Sequence, residues 1–198
     1  MSKLKRAISA LSAVSLLAPL LIGIAASPAM AAPSAKGTAI KKNVGDAIVL
    51  METTKGPIKL VVYKTEMPQT SYNFLDLVGK GFYNGLSFHR WEPDFCIQGG
   101  DPDGTGFGNY VDPKTNKIRR INLEIKPNLK HDSAGVLAMA RSASRNSASC
   151  QFYITLGPAS GLDGDYAVFG RVVEGLDNVM ALRKGDKMTK VTVVDPGK

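Results

Sequence analysis

Residues 47–63 read AIVLMETTKGPIKLVVY, and this run predicts a β-hairpin. Residues 47–53 are apolar and suited to a strand, and in residues 58–63 the side chains of Ile58, Leu60 and Val62 alternate with their neighbours. The TKGP sequence between the two strands contains a glycine that can adopt the backbone angles of a tight turn. We therefore expect two antiparallel strands, the second of them half-buried.

The hydrophobic period changes after this hairpin. Residues 70–80 carry apolar side chains at helical spacing, with a proline near the start and a glycine at the end. A second helix is predicted over residues 176–183, directly after a Glu-Gly turn. The segment 99–116 is rich in Gly, Asp, Asn and Pro, shows no period and is predicted to be a loop.

Short strands account for most of the remaining chain. They are predicted at residues 86–90, 95–99, 121–125, 135–141, 151–156, 167–173 and 188–194. Helices do not alternate with these strands, so a parallel sheet is not indicated. The pattern predicts a mainly β fold, a closed eight-stranded antiparallel β-barrel capped by two α-helices.

Composition agrees with a single globular domain. The chain has 198 residues, of which 44% are hydrophobic and 21% are charged. The formal net charge is +8, and Lys3, Lys5 and Arg6 contribute three of these charges. No basic run is interleaved with aromatic residues, so we expect no nucleic-acid partner.

The N-terminal residues predict an export signal. After the three basic residues no charge follows until Lys36, residues 16–26 form an apolar core, and Ala29-Met30-Ala31 suits a signal peptidase. An uncleaved membrane anchor is the alternative, but the apolar core is short. After cleavage we expect no membrane span, and a location in a periplasm, the extracellular space or a photosynthetic lumen. The expected organisation is a signal peptide (1–31), a flexible segment (32–45) and a folded domain (46–198).

Metal and covalent chemistry have little support. The only histidines are His89 and His131, and no cysteine pair has zinc-site spacing. Residues 101–112 partly match a calcium loop but lack its flanking helices and final Glu, which favours a turn-rich loop. Pairing His89 with Cys96 or a serine would leave the base without an orienting group, so a hydrogen-bonded structural histidine is favoured. We expect no metal and no cofactor.

Four strings carry a resemblance to a known family. They are FHR at 88–90, FCIQGGD at 95–101, QFYI at 151–154 and LDGDYAVFG at 162–170. In this order and spacing they resemble the cyclophilin-type peptidyl-prolyl cis–trans isomerases, over about residues 47–194. The last string looks more like bacterial and plastid members than animal ones. The resemblance implies the barrel and two helices expected above, and an enzyme that needs no cofactor.

The resemblance also implies a set of site residues. The residues that match catalytic positions are Arg90, Phe95 and Gln98, and those that match substrate-binding positions are Cys96, Ala140, Arg141, Gln151, Tyr153, Leu162 and Tyr166. Phe95, Cys96, Tyr153 and Leu162 would line an apolar proline pocket. Gln98 and Gln151 would hydrogen-bond the substrate backbone, Ala140 and Arg141 would hold an extended peptide, and Tyr166 would add a further wall.

Five positions depart from well-known members of the family. Arg141 stands in place of Asn, Tyr166 of His, Cys96 of Met and Tyr153 of Phe. Gly161 occupies the position where cytosolic members have a Trp that contacts cyclosporin. The pocket should still accept proline, but we expect cyclosporin to inhibit weakly.

Strand alternation bears on the two cysteines. If Gln151 faces the substrate, Cys150 faces the interior, whereas Cys96 faces the substrate by its family position. The side chains should point apart, which predicts two free thiols instead of a disulfide.

The sequence therefore favours an isomerase that speeds folding of exported proteins. Its partners would be proline-containing segments of unfolded or partly folded proteins, and the fold would act as a monomer. The alternative is a proline-binding chaperone module with little turnover, and the presence of Arg90 favours the isomerase. A nucleic-acid or membrane-surface binder would rest on the positive charge alone.

Overall fold

The computed structural model describes residues 45–197, which form an eight-stranded antiparallel sheet with two helices. The elements are β1 (Ala47–Thr53), β2 (Gly56–Val62), α1 (Pro68–Gly79), β3 (Arg90–Glu92), β4 (Cys96–Gly99), β5 (Val111–Asp112), β6 (Lys117–Ile118), β7 (Val136–Met139), β8 (Phe152–Thr155), β9 (Val168–Glu174), α2 (Leu176–Ala181) and β10 (Met188–Asp195). The strand order is β10-β1-β2-β9-β7-β8-β4-β3, and β5 pairs only with β6. The predicted signal peptide and all but the last residue of the predicted flexible segment lie outside the described residues. Among residues 45–197, no helix is long and apolar enough to cross a membrane.

The hairpin of β1 and β2 forms as the sequence predicts. Ala47 pairs with Val62 and Thr53 pairs with Gly56, in unbroken register. Gly56 has a φ of +116°, a conformation that glycine adopts without strain. The Thr53 hydroxyl donates to the Gly56 carbonyl oxygen at 2.7 Å and closes the turn.

Aromatic rings fill the interior between α1 and the sheet. The Phe74 ring of α1 lies with its centroid 5.2 Å from that of Tyr83, 5.5 Å from that of Phe152 and 5.1 Å from that of Phe169. All four side chains are fully buried. The Tyr83 hydroxyl donates to the Cys150 carbonyl oxygen at 3.0 Å, so the polar end of this ring is satisfied. This cluster fixes α1 across the end of the sheet.

The sheet is open, so the prediction of a closed barrel is wrong. β3 and β10 are its two edges. The chain before β3 meets the start of β10 at an isolated bridge between Ser87 and Lys187, with backbone hydrogen bonds on both sides of it. Gly85, at a φ of +82°, turns the chain just before this bridge, and continuous ladder pairing begins only at Arg90. The strand predicted over 86–90 is therefore reduced to this short contact and the first residue of β3.

Two other segments differ from the prediction. Residues 121–125 form no strand, because their β-type pairing is limited to the bridge between Ile121 and Ala148. Leu123 bonds instead to a side chain, since its backbone N–H donates to Asn146 Oδ1. The segment 99–116 is not all loop, since it contains β5. A ribbon of two-residue strands is too short to show a hydrophobic period, which is why the sequence did not predict it.

Strand alternation creates a second, smaller apolar cluster on the outer face of the sheet. In β8, Phe152 and Ile154 pack in the main interior, whereas Tyr153 faces outward. The buried members of the outer cluster are Cys96, Val136, Ala138, Tyr153 and Val168. This cluster is the floor of the site described next.

Candidate active site

A cavity of about 340 Å³ lies over the outer apolar cluster. Every site residue predicted from the sequence except Gln151 lines it. Gln151 lines an adjoining cavity of about 360 Å³. The first cavity is also lined by His89, Thr105 and Gly106, to which sequence reasoning assigned no place in the site. The structure thus brings the predicted set together, and the role of each residue stays a prediction.

One part of the cavity wall is apolar, and polar side chains such as Arg90 and Gln98 line the rest. Cys96 is 1% exposed and Tyr153 is 4% exposed, while Phe95 and Leu162 pack against them from the rim. The Tyr166 ring meets the Tyr153 ring edge-on, with centroids 6.2 Å apart. Such a concave apolar surface suits a compact ring such as the pyrrolidine of proline.

Arg90 lies at the mouth of the cavity. Pairing of β3 with β4 places it directly opposite Gln98, and its Nη1 donates to Gln98 Oε1 at 3.2 Å. The guanidinium carbon lies 5.5 Å from the centroid of the Phe95 ring, and Nε lies 3.6 Å from Glu92 Oε1. These contacts hold the guanidinium group at one edge of the apolar walls.

Two glutamine amides connect Arg90 to a neighbouring loop. Gln98 Nε2 donates to Gln151 Oε1 at 2.9 Å. Gln151 Nε2 in turn donates to the carbonyl oxygens of Gly106 at 3.1 Å and Gly108 at 2.9 Å. The network therefore orients both amides and fixes the loop beside the cavity, a positioning role in addition to the predicted contact with substrate backbone.

Asp101 stabilises the same loop through hydrogen bonds to its backbone. Its carboxylate is almost fully buried and accepts backbone N–H bonds from Asp103, at 2.8 Å, and from Gly106. Burial raises the pKa of the Asp101 carboxyl, but hydrogen bonds from backbone N–H groups outweigh it, and the net pKa lies below the ordinary value. A Cβ atom at Gly108 would lie 1.8 Å from Asp101 Oδ1, so this position requires glycine.

Residues 101–112, the partial match to a calcium loop, begin with this carboxylate. Its two oxygens accept backbone N–H bonds from Asp103 and Gly106 and so shape the turn. Within residues 45–197, no group of three or more His, Cys, Asp or Glu side chains could hold a metal ion.

Behind the cavity wall, Tyr153 is held by a buried histidine. His131 is fully buried, and its Nε2 lies 2.8 Å from the Tyr153 hydroxyl. Asp163 Oδ1 accepts both the backbone N–H and the ring Nδ1 of His131, each at 2.9 Å. With Nδ1 donating to the carboxylate, Nε2 is the nitrogen that accepts the proton of the tyrosine hydroxyl. Burial raises the pKa of Tyr153, which keeps that proton in place.

Sequence reasoning missed this triad. The one available signal was the departure at Tyr153, where related proteins carry Phe, since only a tyrosine can bond to the imidazole. The hydrogen bonds from His131 also lower the pKa of Asp163, so the carboxylate that orients the imidazole is charged at neutral pH.

Arg141 bonds to backbone carbonyls of the protein. Its Nε donates to the Asp165 carbonyl oxygen at 2.8 Å, and its Nη1 donates to the carbonyl oxygens of Ser142 at 2.9 Å and Ala143 at 3.3 Å. The guanidinium carbon lies 4.5 Å from the centroid of the Tyr166 ring. The side chain thus ties two loops together at the cavity rim.

His89 lies in the cavity wall with both ring nitrogens buried, next to Gln151. Its role as a structural histidine stays a prediction. Burial lowers the pKa of His89, so the imidazole is neutral at pH 7. It contributes a largely apolar surface to the cavity.

The two cysteines lie in different apolar clusters. Cys96 belongs to the outer cluster and Cys150 to the main interior, and both are free thiols. Burial raises the pKa of each thiol to about 11. This is the arrangement that strand alternation predicts.

Comparisons with known proteins agree with this geometry. Residues 48–197 match the family model described as cyclophilin type peptidyl-prolyl cis-trans isomerase/CLD. The peptidyl-prolyl cis-trans isomerase-like 1 of Rhizopus delemar is 42% identical over 148 residues, which cover 74% of this chain and 87% of that protein. A cyclophilin type isomerase of Cryptosporidium parvum has a crystal structure that superposes with a TM-score of 0.69 and 29% identity, covering 75% of this chain and 97% of its own.

A second crystal structure of the Cryptosporidium parvum protein was determined in the presence of the dipeptide Ala-Pro. It superposes with a TM-score of 0.64 and 31% identity, over 75% of this chain and 96% of its own. Both organisms are eukaryotes, so the predicted bacterial or plastid type of exported member stays a prediction. The family match nevertheless includes every residue of the cavity and all of the sheet except its first residue, Ala47. The chain therefore belongs to the cyclophilin-type peptidyl-prolyl cis–trans isomerases.

Proposed function

We propose that this isomerase accelerates proline-limited folding of exported proteins, as a monomer. Its substrates are proline-containing segments of unfolded or partly folded chains. Support for such substrates comes from the apolar cavity and from the related protein studied in the presence of Ala-Pro. Support for export comes from the basic start, the apolar core and the Ala29-Met30-Ala31 sequence. The compartment would be a periplasm, the extracellular space or a photosynthetic lumen.

The reaction needs neither a nucleophile nor a proton transfer. Rotation about a peptide bond has a barrier of roughly 18–20 kcal/mol, because resonance gives the C–N bond double-bond character. When the amide twists, this resonance is lost and the proline nitrogen regains a lone pair. A group that interacts with that nitrogen more strongly in the twisted state than in the planar state lowers the barrier.

The position of Arg90 is the observation that carries this proposal. Its guanidinium group lies at the edge of the apolar walls and is oriented by Gln98 and by the Phe95 ring. Among residues 45–197, its hydrogen bond to Gln98 uses Nη1 and its ion pair with Glu92 uses Nε, so Nη2 is left to donate to a substrate. An arginine held in this way can donate to the twisted amide nitrogen without first reorganising.

The walls supply the second half of the mechanism. Phe95, Tyr153 and Leu162 would hold the pyrrolidine ring while the preceding residue rotates. Excluding water from this apolar surface strengthens the Arg90 interaction and removes solvent hydrogen bonds that favour the planar amide. The Tyr153 ring is rigid because its hydroxyl is fixed by His131.

The test compares cis-to-trans exchange of an Ala-Pro tetrapeptide by purified residues 32–198 and by variants. Arg90→Ala should lower kcat/KM about 100-fold, the usual effect of removing one preorganised donor. Arg90→Lys keeps the charge but loses the planar fork, so most of the loss should remain. Arg145→Ala is the matched control, because this exposed arginine pairs with Asp165 and lies outside the cavity.

Two results would contradict the proposal. If folded wild-type protein binds the peptide but does not accelerate its exchange, the protein is a proline-binding chaperone module with little turnover. If Arg90→Ala keeps full activity, another group stabilises the twisted amide. Export is tested by N-terminal sequencing of the protein from its native cells, where we expect Ala32 as the first residue and an intact N-terminus would contradict export.

A further inference from the structure

An open apolar groove of about 840 Å³ lies beside the two cavities of the active-site region. Its floor contains the rings of Phe82 and Tyr110, which meet edge to face with centroids 5.2 Å apart. One side is the β5–β6 ribbon, where Val111 pairs with Ile118 and the two side chains are 47% and 44% exposed. Adjacent exposed apolar side chains of this kind mark an interaction surface more often than a neutral one.

Phe107 lies between this groove and the 360 Å³ cavity and lines both. At 88% exposure it is the most exposed large apolar side chain in residues 45–197. The loop cannot easily fold the ring away, because Gln151 Nε2 binds the carbonyl oxygens on both sides of it, at Gly106 and Gly108. The backbone N–H of Phe107 also donates to Thr105 Oγ1 at 3.2 Å. The protein therefore holds an aromatic ring in solvent on a fixed loop.

The groove is continuous with the proline cavity. It shares Phe107, Gly108 and Asn109 with the 360 Å³ cavity. That cavity shares Gln98 and Gly106, among others, with the 340 Å³ cavity that contains Arg90. An extended peptide with its proline in the innermost cavity could therefore continue along the loop into the groove without leaving the surface.

We propose that the groove is a substrate subsite for large apolar side chains several residues away from the isomerised proline. The occupant is the same unfolded polypeptide whose proline lies in the cavity, so the inference rests on the proposed function. The groove is lined by two charged residues, Lys80, which is paired with Asp76, and Asp103. The other lining residues are uncharged and mostly apolar, which suits an apolar occupant. An unfolded chain exposes apolar segments that a folded chain has buried, so the subsite would favour unfolded substrates.

Contact in the groove is remote from the rotating bond and equally strong in the planar and the twisted states. It should therefore lower KM without raising kcat. The test uses a short Ala-Pro tetrapeptide and the same peptide extended by six residues containing Leu and Phe, on either its N-terminal or its C-terminal side. For one of the two extensions, kcat/KM should rise about tenfold over the short peptide, which corresponds to about 1.4 kcal/mol. A matched extension with Ser in place of Leu and Phe should give no gain.

Variants locate the effect. Phe107→Ser and Ile118→Thr should each reduce the ratio of kcat/KM for the extended peptide over the short one to about 2 or less, because each removes exposed apolar contact area. Tyr72→Ala is the matched control, since this ring is 71% exposed and does not line the groove, and it should keep the full ratio. Circular dichroism of each variant checks that the fold is kept.

The outcomes separate the two proposals. No acceleration of the short peptide by the wild type would refute the proposed function itself. Normal acceleration of the short peptide, with no gain from either apolar extension or an equal gain from the Ser extension, would refute only the subsite. A concentration-dependent dimer in sedimentation that disappears in Phe107→Ser would show that a second copy occupies the groove, and this too would overturn the inference.

Discussion

Removing the hydroxyl group of Tyr153 should destabilise the protein, although the ring that faces the cavity is kept. The hydroxyl oxygen lies 2.8 Å from His131 Nε2, and His131 and Tyr153 are 0% and 4% exposed. Tyr153→Phe leaves Nε2 as a buried acceptor without its partner, which costs about 1–3 kcal/mol. The ring still fills its place, so no cavity cost is added. We expect the free energy of unfolding to fall by about 2 kcal/mol, and the melting temperature of a domain of this size to fall by roughly 4–8 °C.

Urea unfolding, followed by the fluorescence of the single tryptophan, Trp91, measures this change. Tyr166→Phe is the control, because that ring borders the same cavity but is only partly buried. Combining Tyr153→Phe with His131→Leu removes both polar partners, and it should cost less than the sum of the two single variants. A loss below about 0.5 kcal/mol for Tyr153→Phe, as at an ordinary surface position, would refute the reasoning, since the imidazole would then not depend on the hydroxyl group.

Three further predictions concern acid stability, thiol reactivity and drug binding. The pKa of Asp101 is lowered in the folded state, so its charged carboxylate stabilises the fold above the ordinary carboxyl pKa. This stabilisation is lost as the pH falls through the folded-state pKa. In urea unfolding between about pH 6 and pH 2, the free energy of unfolding should therefore depend less on pH in Asp101→Asn than in the wild type. Cys96 and Cys150 are buried and have thiol pKa values of about 11, so a thiol reagent at about pH 8 should label the native protein slowly. After denaturation without reductant, the reagent should label two thiols. Labelling of none would contradict the prediction of free thiols. Cyclosporin should inhibit the wild type weakly, and nanomolar inhibition would contradict this expectation. Gly161→Trp should strengthen inhibition, because no atom lies within 4 Å of a Cβ placed at this position and the larger side chain therefore has room.

Local sequence patterns were sufficient to predict the elements in which apolar residues recur at a regular spacing. The hairpin was predicted because its two strands are separated by a short turn sequence that contains glycine, and because the second strand shows period-two alternation. The same alternation placed Tyr153 and Phe152 on opposite faces, and this separation creates the outer apolar cluster. Site residues could be assigned because the four family strings keep their order and spacing along the chain.

Contacts between distant segments could not be predicted in this way. Gln98 bonds to Gln151 across 53 positions, and His131 bonds to Tyr153 across 22. Each contact depends on strand register and loop path, which no local pattern encodes. The open edge of the sheet was missed for a related reason, because residues 86–89 are suited to a strand by composition but pair only around Ser87.

The place of β10 next to β1 determines when the chain can fold. β1 is hydrogen-bonded on one side to β2, which follows it directly, and on the other side to residues 188–195, the last strand in chain order among the described residues. Met188 and Val191 of that strand are buried in the interior, so the core is incomplete until they arrive. A ribosome adding about 5–20 residues per second must therefore make all the other strands of the sheet before β10 can complete it. Until then, this prolyl isomerase is itself an incompletely folded chain.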